Sequence, residues 1–212
     1  MLNTEYSFED AITKQIFDAL RALVVRSRTA ITVVFLGLCN ESEFDTENLP
    51  ETAEKITALL KNKTRKTDFV FKFSGQLKWF IILSQTGERE AAAFLRRLFI
   101  SVKNKDVPGL EDHELLFSAS AAEIGNDEGP FEELIAVGVS ALAESLGKGP
   151  EQIDYITAYK KRPLETVRIS ILEENAVFRN VLHRTINNLN LENFETEIKE
   201  FQDGYEFLES NW

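Results

Sequence analysis

The stretch "AITVVFLGLC", Ala30 to Cys39, is an unbroken run of apolar and β-branched residues without a charge. It is too short to cross a bilayer, which needs about 20 residues. It is also too apolar to lie on a surface. Such a run fits a strand buried on both faces, so the rest of the chain must supply helices to cover two sides of a sheet.

The neighbouring segments supply them. Ile12, Ile16, Phe17, Leu20, Leu23 and Val24 recur at helical spacing between Phe8 and Arg26, and Ala53, Ile56, Leu59 and Leu60 do so between Leu49 and Lys63. Asp68 to Phe73 and Lys78 to Leu83 read as two strands joined by a tight turn. "GEREAAAFLRRLFISVK" predicts a helix whose Phe94, Leu95, Leu98 and Phe99 form an apolar stripe for the core or, secondarily, a dimer face. "LLFSASAAEI" predicts a strand. A helix is expected from Phe131 to Leu146, started by Pro130 and stopped at Gly147, and "QIDYITAYK" reads as a last strand. The order is α-β-α-β-β-α-β-α-β, an α/β arrangement with one hairpin in its middle.

A second composition follows "KKRPLE". Residues 161–166, with Pro163, read as a linker. Beyond it come a strand "VRISIL", a helix from Asn175 to Leu189, a strand "FETEIKEF" and a further helix start at "DGYEFLESNW". A single parallel βαβ unit cannot cover its own sheet faces. Residues 167–212 are therefore expected to be cut short or to pack on residues 1–160.

The 212 residues carry 24 Lys and Arg against 35 Asp and Glu, a formal net charge of −11. That field repels a nucleic-acid backbone, and no basic run offsets it, so no nucleic-acid partner is expected. A small anionic nucleotide held by one local basic group is still compatible with it. The single cysteine, Cys39, excludes an internal disulfide and reads as a buried small hydrophobe. The N-terminus lacks a signal-like core, and no apolar run is long enough for membrane insertion, so a cytoplasmic location is expected.

The hairpin carries the most specific pattern. Arg65-Lys66-Thr67-Asp68 is followed by "FVFKF", by Ser74-Gly75-Gln76-Leu77-Lys78 and by "WFIIL". This resembles the R-x-x-D, five residues, G-G-D-E-F and apolar strand of the GGDEF (diguanylate cyclase) family. "DAIT", "FSASAAEIGNDEGPFEELI" and "ALAESLGKG" are weaker echoes of the same family. The resemblance covers residues ~8–160, within a first domain expected at 1–160. It implies a GGDEF/nucleotidyl-cyclase-like mixed central sheet with flanking helices. The tail resembles the first half of a response-regulator receiver domain: "ISILEEN" looks like its first strand and "QDGYEFL" like its second-helix motif, which implies a partial βαβα unit.

The resemblance also says what the chain lacks. Joining two GTP molecules requires a divalent metal held by carboxylates. The family takes these from the end of the first strand, here Gly37-Leu38-Cys39, and from the signature turn, here Gln76, Leu77 and Lys78. Ser74 replaces the turn's first glycine and Gly75 keeps its second. Lys78 would repel a cation by about 1–4 kcal/mol near a surface. Leu146 stands where the family has a phosphate-contacting lysine. No catalytic residues, no metal and no cofactor are expected, hence no enzyme activity.

Arg65 and Asp68 match the family's inhibitory site for cyclic di-GMP. Guanidinium grips phosphate or a guanine edge, and a carboxylate accepts from guanine N–H groups. The competing reading is a surface ion pair worth about 0–1 kcal/mol. Glu173 and Glu174 occupy the receiver's metal-binding acids, but a solvated strand end explains them as well. His113 reads as a loop residue and His183 as a helix-face residue, neither with metal-ligand spacing. Leu77 and Trp79, if exposed at the turn, would suit a protein partner.

These readings converge on a non-catalytic regulatory module of a bacterial two-component or cyclic-dinucleotide pathway. It would work through a signalling-protein partner or self-association, or alternatively as a cyclic di-GMP receptor at Arg65 and Asp68. An active diguanylate cyclase is the third reading.

Overall fold

The structure is a computed structural model that describes residues 10–27, 29–44, 48–103, 110, 113–126, 129–160, 165–189, 194–210 and 212. The chain divides into two compact units, Met1–Lys161 and Arg162–Trp212.

The first unit is built on α1 (Asp10–Ser27), β1 (Ile31–Leu38), α2 (Leu49–Lys63), β2 (Phe69–Lys72), β3 (Lys78–Leu83), α3 (Glu88–Lys103), β4 (Phe117–Ile124), α4 (Phe131–Lys148) and β5 (Ile153–Ile156). Its sheet has the order β2-β3-β1-β4-β5. Only the β4–β5 pair is parallel; β1 lies antiparallel to both β3 and β4. The apolar run thus forms the middle strand, and all eight of its residues are buried.

Period-2 alternation divides β1 between two cores. Val34, Leu36 and Leu38 face α2 and α3, with Ile56, Leu60, Leu95 and Leu98. Val33 and Phe35 face α1 and α4, with Phe17, Leu134 and Leu142. The stripe on α3 belongs to the first core: Leu95, Leu98 and Phe99 are buried and Phe94 packs at its edge. On the other face α4 comes close to the sheet at Gly138, where a Cβ would stand 2.0 Å from the Phe35 ring. Ser120 Oγ donates to the Gly138 carbonyl at 2.7 Å across the same contact.

Several boundaries depart from the sequence reading. α4 does not stop at Gly147; it continues through Lys148 and ends at Gly149, whose N–H donates to the Leu146 carbonyl. An exposed glycine costs a helix only about 1 kcal/mol, which neighbouring turns absorb. The last strand covers only Ile153–Ile156 of "QIDYITAYK", though Tyr159 beyond it is buried and its carbonyl accepts from Gly125 N–H. Phe8, the expected start of the first helix, lies outside the described residues.

The second unit comprises β6 (Glu165–Leu172), α5 (Ala176–Asn187), β7 (Phe194–Phe201) and α6 (Gly204–Glu209). β6 and β7 form a parallel two-stranded sheet in register from Glu165↔Phe194 to Leu172↔Phe201. β6 begins inside the stretch read as a linker; the preceding 161–164, with Pro163, lie outside the described residues. Asn175 and Asp203 cap the two helices, each side chain accepting two backbone N–H groups. Ile171 and Phe201 are buried, whereas Val177, Phe178, Val181 and Leu182 on α5 are exposed.

Candidate functional site

The β2–β3 hairpin has two ends, and its sequence shapes each differently. At the turn, Gly75 adopts φ +69°, a left-handed value that favours glycine, and Phe73 N–H donates to the Lys78 carbonyl at 2.9 Å to close the loop. β3 is an internal strand, so residues entering it from the turn are covered at once. Leu77 and Trp79 are both 0% exposed. The condition for a partner surface at Leu77 and Trp79, their exposure, is not met: Trp79 is a core anchor whose Nε1–H donates to Thr57 Oγ1 at 2.8 Å.

The turn meets the end of β1. Gly37 pairs with Lys78, and Leu38 N–H donates to the Leu77 carbonyl at 3.1 Å. A short 3-10 turn, Glu41–Glu43, follows β1, and Glu41 Oε1 accepts from Leu77 N–H at 3.2 Å. Gly37 is filled from above: a Cβ there would stand 3.1 Å from Leu146 Cδ1 and 3.4 Å from Leu142 Cδ2. Cys39 is half-buried rather than buried. Desolvation pushes its thiol pKa up, partly offset by a contact to Ser118 Oγ at 3.4 Å.

This donor set does not fit a divalent cation. Magnesium requires carboxylate, phosphate or water oxygens. The positions that the resemblance would assign to them carry a glycine, two leucines, a raised-pKa thiol, an amide and an ammonium, and the carboxylate beside the turn, Glu41, is engaged with Leu77 N–H. Among the described residues no group of three or more His, Cys, Asp or Glu side chains could hold a metal ion. Beside the turn lies a cavity of about 350 Å³ lined by Leu49, Pro50, Ala53, Lys72, Ser74 and Gln76 among others. Lys72 at its margin pairs with Glu54 of α2.

At the other end the hairpin opens onto a cavity of about 560 Å³, between the end of α2, the Arg65–Asp68 loop and α3. Lys63, Arg65 and Arg97 bring three cationic side chains to it, against the two acids Asp68 and Glu90. Leu83, Phe94 and Leu98 give it an apolar side. Apolar walls with a few convergent polar groups are the common form of a small-molecule site. Arg97 was not foreseen from sequence, and Lys63 was read only as a helix end.

Asp68 does not form the expected surface ion pair. Its Oδ2 accepts from the backbone N–H of Arg65 at 2.8 Å, and its Oδ1 from Ser84 N–H at 3.0 Å. Asp68 N–H donates to the Arg65 carbonyl at 3.0 Å, and Ser84 Oγ to the Thr67 carbonyl at 2.6 Å. The loop is thereby tied to the end of β3, while the Arg65 side chain is exposed.

The remaining residues fall outside both ends. Glu173 Oε1 accepts from Asn175 N–H at 2.9 Å, a local cap ahead of α5, and Glu174 is exposed. His183 Nδ1 lies 2.6 Å from Glu200 Oε1, and Arg179 Nε 3.3 Å from Glu200 Oε2, which fastens α5 to β7. His113 lies against Phe44 with tilted rings whose centroids are 4.7 Å apart. No described helix is long and apolar enough to cross a membrane.

No family model matches this chain, and no curated protein does. Solved structures do. The active GGEEF domain of a diguanylate cyclase from Vibrio cholerae aligns with a TM-score of 0.57 at 13% identity, over 70% of this chain and 94% of that one. The GGDEF domain of DgcB from Caulobacter crescentus, in complex with c-di-GMP, aligns with a TM-score of 0.55 at 12% identity, over 67% and 89%. The diguanylate cyclase SiaD from Pseudomonas aeruginosa, in complex with its activator SiaC, aligns with a TM-score of 0.55 at 14% identity, over 68% of this chain. The alignment spans 57% of the SiaD chain. At such identities the likeness speaks for the fold: a GGDEF-like α/β fold with a mixed central sheet and flanking helices.

Proposed function

We propose that this chain is a non-catalytic, GGDEF-like regulatory module that senses a cyclic dinucleotide at the Arg65 end of its hairpin. The observation that carries the reading is the cavity of about 560 Å³ in which Arg65, Lys63 and Arg97 converge beside an apolar wall holding Phe94. Guanidinium groups suit phosphates through paired, charge-assisted hydrogen bonds, and an aromatic edge suits a base. The overall charge of −11 makes a local trio of cations the more selective for a compact anion over a polynucleotide.

The absence of turnover is the second half of the proposal. A cyclase site must hold a cation between carboxylates, and the turn instead packs Leu77 inward and meets a Gly37 covered by Leu146. That cyclic di-GMP is a ligand and that a signalling protein is a partner are readings drawn from resemblance. One solved neighbour holds c-di-GMP and another an activator protein. Incubation with GTP and Mg²⁺ or Mn²⁺ is expected to give no cyclic dinucleotide, while calorimetric titration of cyclic di-GMP gives saturable binding that Arg65→Ala removes. Product formation would defeat the non-catalytic reading, and absence of binding the receptor reading.

A further inference from the structure

We infer that the Arg65 end of the hairpin is also a docking face for a short acidic protein segment carrying apolar side chains, and that this segment and the nucleotide exclude each other. Lys61 and Lys66 flank the cavity-lining Lys63 and Arg65 along the end of α2 and the loop, and Arg96 adjoins Arg97 on α3; all six side chains are exposed. Elsewhere in the first unit cations are matched locally. Lys14 pairs with Glu132, Lys55 with Glu51, Lys72 with Glu54, Lys148 with Asp154 and Lys160 with Glu88. Among the described residues none of the six forms such a pair. Like charges gathered on one side repel one another and do nothing for folding, so the excess calls for an anionic partner.

A cyclic dinucleotide carries two phosphate charges, which the three cations lining the cavity can meet. Lys61, Lys66 and Arg96 lie outside that lining and remain for a larger anion. Ile100, one turn beyond Arg96 and Arg97, is 65% exposed, and Phe94 is half-buried in the cavity wall. Both suit apolar side chains, which an acidic protein segment supplies and a phosphodiester backbone does not. The overall charge of −11 repels a long polyanion beyond this face and favours a partner whose charge is confined to a short stretch. A bilayer is flat and does not reach into a cavity. Lys63, Arg65 and Arg97 serve both ligands, so either one takes the counter-charges of the other. That exclusion rests on the receptor reading above; docking of the segment does not.

The test is anisotropy titration of the full chain into a fluorescent synthetic peptide of Glu, Asp, Leu and Phe. Micromolar binding is expected, weakened about tenfold by joint Lys66→Ala and Arg96→Ala substitution and further by added salt. Both positions are exposed, so the urea midpoint should not move, and affinity for cyclic di-GMP should stay within about threefold. Ile100→Ser should weaken this peptide but not one with Ser in place of Leu and Phe. Cyclic di-GMP should displace the peptide. No peptide binding, or binding indifferent to the double variant, overturns docking. Tighter binding to phosphatidylserine vesicles or a single-stranded oligonucleotide, lost in the double variant, would overturn it by assigning the face to a membrane or a nucleic acid. Self-association lost in that variant would assign it to a second copy. Cyclic di-GMP that binds without displacing the peptide overturns the exclusion. If cyclic di-GMP does not bind at all, the receptor reading fails, and the peptide titration still decides docking.

Discussion

The two ends of the β2–β3 hairpin have been put to opposite uses. At the turn, backbone closes on backbone: Leu77 and Trp79 are fully buried, and the space above Gly37 is taken by Leu146 and Leu142. At the other end, the loop between α2 and β2 keeps its charged groups at the edge of an open cavity. One end contributes to the stability of the core, and the other keeps charged groups at the edge of a cavity. Hydrocarbon packing tolerates drift in chemistry as long as volume is kept, whereas a constellation of cations around a cavity has no such structural reason to exist.

The comparison can be attacked first where packing is densest. Trp79→Ala should cost about 3–5 kcal/mol, since it empties a core position and removes the donor to Thr57, and urea unfolding would read it as a lowered midpoint. A cost below about 1 kcal/mol would mean that the turn end is not core.

Gly37→Asp tests whether the β1 end is closed to a carboxylate. The new Cβ meets Leu146 at 3.1 Å and the charge lies among buried apolar groups, so a loss of about 2–3 kcal/mol is expected. Adding Leu146→Ala should recover part of it, because the two changes share one space. Strict additivity would show that Leu146 is not the obstacle.

Arg97→Ala sharpens the other side. Its side chain is exposed, so stability should stay within about 0.5 kcal/mol, while the affinity for cyclic di-GMP falls by about tenfold. The reverse pattern, stability lost and affinity kept, would move Arg97 from the cavity's chemistry to its scaffold.

The smallest effect concerns acid. Lys148 Nζ donates to Asp154 at 2.6 and 2.7 Å and Ser145 Oγ at 2.7 Å, and these bonds hold the Asp154 carboxyl below its ordinary pKa. A carboxyl depressed in the folded state stabilises above its unfolded pKa, about 3.9 for Asp, and that contribution disappears as pH falls through the folded value. Unfolding of Asp154→Asn should therefore depend less on pH below about 4 than that of the parent. Equal acid slopes would remove Asp154 from the account.

What the sequence made legible follows from the length scale of each signal. The doubly covered β1, the hairpin with strand Lys78–Leu83 and the helix Leu49–Lys63 are local patterns, and each appears where its periodicity put it. The exposure of Trp79 was left open because a turn motif does not tell which side of the hairpin is covered, whereas an internal strand is covered from its first residue. The end of α4 was misjudged because Gly147 is conformationally harmless in a last turn and Gly149, with φ +104°, is the residue that leaves the helix. Arg97 carried no local signal at all. It lies on the polar side of an amphipathic helix, and only the packing of α3 on the sheet brings it to the cavity that Arg65 and Lys63 line. The role of Asp68 was equally hidden, since a backbone amide such as that of Ser84 leaves no mark on composition.

The most direct test is to map the amides that cyclic di-GMP protects from hydrogen exchange in the whole chain. Protection confined to Arg65, Ser84 and the Arg97 turn of α3, with residues 74–78 unchanged, is the predicted result. Protection centred on residues 74–78, or none at saturating nucleotide, would contradict the division of the hairpin into a packed end and a binding end.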